Sequence, residues 1–245
     1  MATTTPSNLT TLKQPLAIRT DCITPHPTTL HVKHDLSWSN GNYTATKADG
    51  SVLLSCDGKS WSNSMRKQFK DASGLPLFDL RISWFSMAKA WRLELPGDGG
   101  QMVMAVRPRL SLGKLKLDCT FTNAASDDDG EGQEVTLEVR GQNLQNVVTD
   151  ITCGEKKVAS VRRVFEDGKR GALWMFKQEY EVDVAGGMDM ALVSCLLVLI
   201  AKEMGAPSRV FILLMSIIDC CHCHNHGQSP SGKAGHRASY EKNSG

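Results

Sequence analysis

From Met190 to Ala201 the chain reads MALVSCLLVLIA, and only Ser194 among these residues is polar. A helix resting on a protein surface keeps a polar back, so one that is apolar all round must be buried on every side. The burying medium is lipid or protein, and length chooses between them. A membrane span needs about 20 consecutive apolar residues, whereas a run of roughly 10–14 suits a core helix. Asp189 bounds this run at one end, and Lys202 and Glu203 bound it at the other. Asp189 falls in the first turn, against the positive pole of the helix dipole, and Gly205 is placed to stop the last turn. The pattern predicts a helix over 187–204 buried in protein, with Leu192, Leu196, Leu197 and Leu199 as its core. A second apolar run, VFILLMSII at 210–218, is shorter and is set apart by GAPSR.

Upstream of that helix the period changes from 3.6 to 2. In LKLDCTF, Leu115, Leu117, Cys119 and Phe121 face one way, and Lys116, Asp118 and Thr120 the other. VTLEVR (135–140) and EYEVDV (179–184) repeat the alternation, which means sheet with one wet face. Tight-turn signals (ADGS, DASG, GDGG, CGEK) separate the runs. Twelve strands are expected, near 29–34, 42–47, 51–57, 65–70, 76–82, 91–95, 102–107, 115–121, 134–140, 146–153, 157–164 and 174–184.

Many half-wet strands followed by one helix without a wet face predict a sheet closed around the helix. An eight-stranded barrel is filled by its own side chains, so a helix about 10–12 Å across needs a wider ring. The expected fold is mainly β: a closed antiparallel barrel of about twelve strands enclosing a hydrophobic C-terminal central helix. The rival, a β-sandwich with the helix across one end, leaves one helical face wet. Residues 1–27 are Thr/Pro-rich and aperiodic, predicting an unstructured leader; the barrel spans 28–204, and 205–245 is expected to be an unstructured tail.

The run DASGLPLFDLRISWFSMAKAWRLELPGDGG, then VASVRR, then YEVDVAGGMDMALVSCLLVLIAKEM, resembles the LURP-one-related family of the tubby C-terminal-like superfamily. Asp71, Gly74, Pro76, Leu77, Phe78 and Arg81 fill that family's first hairpin, and Trp91 and Arg92 its next strand. Tyr180, Val182, Val184, Gly187, Asp189, Ala191 and Leu192 fill its opening to the helix. The resemblance implies a twelve-stranded barrel threaded by its C-terminal helix. It also implies kinship with tubby proteins, which tether to phosphoinositide-bearing membranes, and with phospholipid scramblases.

Candidate sites are few. Arg66, Lys70, Arg81 and Arg92 are expected on the outer wall, with Lys89 in the turn between, where they could hold an anionic lipid headgroup; interspersed Asp71, Asp79 and Glu94 argue for an ordinary solvated exterior. Asp127, Asp129, Glu131, Gly132 and Glu138 match a calcium-loop template, but strands flank them where that template needs helices. The tail carries Cys220, Cys223, His224 and His226, which are zinc-type ligands with no second pair spaced by a folded loop. His34 is placed to face inward with Val32. No nucleophile motif, phosphate loop or zinc-protease helix signature is present in the sequence.

Net charge is +2, so no global field points to nucleic acid. The N-terminus has no apolar stretch of secretory-signal type, and the eight cysteines are then expected to be reduced. These readings predict a non-enzymatic, monomeric, cytoplasmic docking or adaptor protein, peripheral at the plasma membrane or nuclear, with no cofactor and no small-molecule substrate. Its partner would be an anionic membrane lipid or a protein, met on the outer barrel surface. The alternative is a scramblase-like lipid-handling protein anchored through the tail.

Overall fold

Alternation in the sequence becomes a wall with a dry inner face and a wet outer one. The computed structural model describes residues 9–35, 42–58, 66–83, 90–97, 100–109, 111, 114–126, 132–143, 147–164 and 177–205. Its strands are β1 (Thr28–Asp35), β2 (Asn42–Lys47), β3 (Val52–Gly58), β4 (Lys67–Asp71), β5 (Pro76–Ser83) and β6 (Ala90–Glu94). Then come β7 (Met102–Pro108), β8 (Lys116–Thr122), β9 (Glu134–Gly141), β10 (Val148–Cys153), β11 (Lys156–Val164) and β12 (Lys177–Val184), followed by α1 (Met190–Gly205). Each strand lies antiparallel to its neighbour in sequence, and β1 pairs with β12 to close the barrel. Closure leaves none of the described strands with an edge open to another chain. In β9, Val135, Leu137 and Val139 are buried while Glu134, Thr136 and Glu138 are exposed, as their period dictates. The β-sandwich alternative is thereby excluded.

The helix fills the ring. Every residue from Ala191 to Ala201 is at most 3% exposed, so no face of α1 is wet. Inward side chains such as Leu30, Phe69, Phe78, Trp91, Leu137 and Tyr180 belong to the same buried cluster as the helix leucines. Ser194, the one polar residue in the run, donates to the Met190 carbonyl at 2.8 Å, which removes the cost of burying its hydroxyl. Gly187 turns β12 toward the helix with φ +83°, a conformation that L side chains rarely adopt. The helix begins at Met190, later than expected, and Asp189 is its cap rather than part of its first turn. The Asp189 Oδ1 atom accepts the N–H groups of Ala191 and Leu192 at 2.8 and 3.0 Å, the second and third helical positions.

The leader departs from expectation. Residues 9–27 wrap the turn that feeds α1, at the near end of the barrel where β12 finishes. Leu12 and Leu16 donate to the Gly186 and Gly187 carbonyls at 2.8 and 2.9 Å, and Asp189 donates back to Leu16 at 3.0 Å. On its return the strap exchanges Thr24 N–H to Met188 O at 3.1 Å and Gly187 N–H to Thr24 O at 2.6 Å. A Cβ on Gly186 would meet Thr11 Oγ1 at 2.6 Å and Pro25 O at 2.9 Å, so glycine there lets the strap approach. Leu16 and Ala17 are buried. The pairing is made by main-chain groups against a turn, which leaves no periodic trace in side-chain type.

Candidate functional site

Arg66, Lys70, Arg81 and Arg92 do share the outer wall of β4–β6. Strand register also brings carboxylates between them: Asp79 lies opposite Glu94, and Gln68 separates Asp57 from Asp79. Arg66 pairs with Asp79, and Lys70 Nζ lies 2.6 Å from Asp57 Oδ2. Arg81 and Arg92 both face Glu94, at 3.2 and 3.8 Å. The Asp79 side chain is fully buried and that of Glu94 nearly so. An anionic headgroup arriving here competes with carboxylates already in place, against a gain of about 1 kcal/mol per basic residue. Lys89 lies outside the described residues, as do the tail candidates Cys220, Cys223, His224 and His226 and the loop acids Asp127, Asp129 and Glu131. Glu138 sits on β9 and pairs with Arg140 at 2.9 Å.

Polar side chains also gather inside the far end, where α1 finishes. His34 faces inward beside Val32 and stacks on Tyr43, with ring centroids 4.0 Å apart and planes 4° off parallel. Lys67 Nζ stands 5.1 Å from the Tyr43 ring centroid, and Lys202 Nζ 4.5 Å from that of Trp91. Trp91 Nε1 donates to Glu203 Oε1 at 3.0 Å. Desolvation holds the Lys67 ammonium below the ordinary lysine range and pushes the Tyr43 phenol up. Lys202 and Glu203 thus tie the last turn of the helix to Trp91, through one cation–π pair and one indole hydrogen bond.

Among the described residues, burial disfavours the thiolate. Cys22, Cys56, Cys119, Cys153 and Cys195 are free, and burial pushes Cys22 up to about 11 and Cys56 up to about 12. A thiol held protonated at neutral pH is a poor nucleophile and a poor metal ligand. Among the described residues no three His, Cys, Asp or Glu side chains converge as metal ligands. Likewise, no helix among them is long and apolar enough to cross a membrane.

The near end carries the strap. Asp189 Oδ2 accepts the Ile18 and Arg19 N–H groups at 3.2 and 2.9 Å, so one carboxylate caps the helix and anchors the strap. Burial pushes that carboxyl up, while its four N–H donors pull it the other way. Asn123 grips the strap from β8's end, accepting from Ala17 N–H and donating to Pro15 O, both at 2.9 Å. Between strap and wall lies a cleft of about 570 Å³, lined by Leu9–Lys13, Lys156, Lys157, Ser160 and Asp183. Around the same end, Val52, Leu75, Leu95 and Met102 are exposed at 45, 64, 37 and 51% on the β2–β3, β4–β5 and β6–β7 hairpins. Neither feature was read from the sequence. Their only traces there are the consecutive lysines after the CGE turn, and apolar residues beside turn glycines.

The family described as LURP-one-related has a model that matches residues 28–201. No curated protein matches the chain. The barrel is similar to an X-ray structure of a protein from Arabidopsis thaliana at 19% identity and a TM-score of 0.52. That similarity covers 77% of this chain and 98% of the other, and it concerns the fold.

Proposed function

This chain belongs to the LURP-one-related family, and we propose that it is an intracellular, non-enzymatic docking protein that engages a protein partner from outside the barrel. One observation carries the reading. The barrel interior, where a fold of this shape would keep a substrate pocket, is filled by α1 without a wet face. Binding is left to the exterior. The hairpin tips bearing Val52, Leu75, Leu95 and Met102 offer apolar anchors there, beside the exposed Asp49 and the half-buried Asp71. Carboxylates beside apolar anchors suit a partner whose surface mixes basic and apolar side chains. Ion pairing of Arg66, Lys70, Arg81 and Arg92 weighs in the same direction.

Site-specific photocrosslinking in cell extract tests this reading. A crosslinker at Leu75 or Met102 is expected to give one discrete protein adduct that Leu95→Asp abolishes, while one at Thr136 on β9 gives none. Adducts independent of position, or lipid transfer between vesicle leaflets by the purified chain, would replace the docking reading.

A further inference from the structure

We propose that the cleft between the strap and β11 is a binding site for a compact phosphorylated small molecule, held by Lys13, Lys156 and Lys157. This inference does not depend on whether the hairpin tips dock a partner. A volume of about 570 Å³ falls within the usual 300–1,000 Å³ of small-ligand sites.

Charge gives the chemistry. Lys13 and Lys156 form no ion pair among the described residues, and Lys157 is shared with Asp150 at 2.9 Å. The one lining carboxylate, Asp183, already accepts Thr29 Oγ1 at 2.9 Å and faces Arg162 at 3.7 Å. Counted with the groups that share them, Lys13, Lys156, Lys157 and Arg162 stand against Asp150, Asp183 and Glu181, a surplus of one positive charge that suits a phosphate group. Each wall cation, Arg66, Lys70, Arg81 and Arg92, is already held by a carboxylate, with Arg81 and Arg92 sharing Glu94, whereas Lys13 and Lys156 are not. Thr10 and Thr11 add hydroxyl donors from the strap side.

Shape argues for a compact anion. The lysines approach from two sides, Lys13 from the strap and Lys156 and Lys157 from the start of β11, instead of forming a stripe that could track a nucleic-acid backbone. Lys13 also lies outside the residues matched by the family, so the site is completed by this chain's own strap. A phosphate in the cleft would bridge strap and wall, as a charged clasp on a segment otherwise held by main-chain hydrogen bonds, Asp189 and Asn123.

The full chain is titrated calorimetrically with inorganic pyrophosphate and with soluble inositol trisphosphate. In parallel it is sedimented with phosphatidylcholine vesicles, with and without a few per cent of phosphatidylinositol bisphosphate. Saturable one-to-one binding that weakens with salt is expected. It should fall about fivefold for Lys13→Gln or Lys156→Gln and about 30-fold for the two together, at about 1 kcal/mol per lysine. Arg81→Gln is expected to leave it unchanged. Capture of soluble probes alone assigns a free phosphorylated metabolite, and equal capture of the bisphosphate vesicles assigns a lipid headgroup. Absence of saturable binding to every probe, or binding indifferent to Lys13→Gln with Lys156→Gln in a normally folded chain, would overturn the proposal.

Discussion

Four consecutive positions on α1, Leu196, Leu197, Val198 and Leu199, point in directions about 100° apart and so sample the whole circumference of the helix. All four are at most 1% exposed. Truncating a buried leucine to alanine costs about 2–5 kcal/mol, made up of lost transfer energy and the cavity left behind. For the two methyl groups of Val198 the transfer part alone is about 1.6 kcal/mol. Enclosure therefore predicts that Leu196→Ala, Leu197→Ala and Leu199→Ala each lower the unfolding free energy by at least about 2 kcal/mol, with Val198→Ala close behind. In a domain of this size each kcal/mol lowers Tm by about 2–4 °C. Urea unfolding at constant m-value is the assay, with Leu75→Ala on an exposed tip as the control, expected within about 0.5 kcal/mol of the parent. A helix packed on one side of a sheet would show at least one cheap position among the four. A cost below about 1 kcal/mol at any of them would refute the reasoning.

Two further outcomes follow from the ends of the barrel. Asp189→Ala removes the cap and strands the Ile18 and Arg19 N–H groups. It should cost about 2–4 kcal/mol and hasten tryptic cleavage after Lys13 and Arg19, whereas unchanged cleavage would mean the strap is held elsewhere. Lys67 has a folded-state pKa lowered by burial, so the unfolded chain binds its proton more tightly. Stability should rise as pH climbs from the folded-state value toward 10.5, a gain that Lys67→Met should erase. Identical pH profiles for parent and variant would remove Lys67 from the account.

Strand positions were legible because each strand has a dry face and a wet one; observed limits agree with the expected ones to within two residues, apart from the start of β12. The helix was legible for the opposite reason, having no wet face at all. What stayed hidden depends on register and on distant partners. The pairing of Arg81 on β5 with Glu94 on β6 follows from the alignment of those two strands, which their sequences do not specify. The strap left no signal because Leu12, Leu16 and Thr24 bind main-chain atoms of Gly186, Gly187 and Met188. The cleft joins Lys13 to Lys156 and Lys157, distant in sequence, and they meet because the strap pairs with the turn after β12, the neighbour of β11.

Cys195 sits at the middle of α1, fully buried, and reports directly on whether the wall surrounds the helix. The decisive measurement is alkylation of the native protein read by peptide mass spectrometry, comparing Cys195 with the half-buried Cys22 and Cys153. Enclosure predicts that Cys22 and Cys153 label first, while Cys195 labels only at the rate of global unfolding and speeds up together with it in urea. Labelling of Cys195 as fast as Cys153 in buffer would show that the helix reaches solvent and that the barrel is not closed around it.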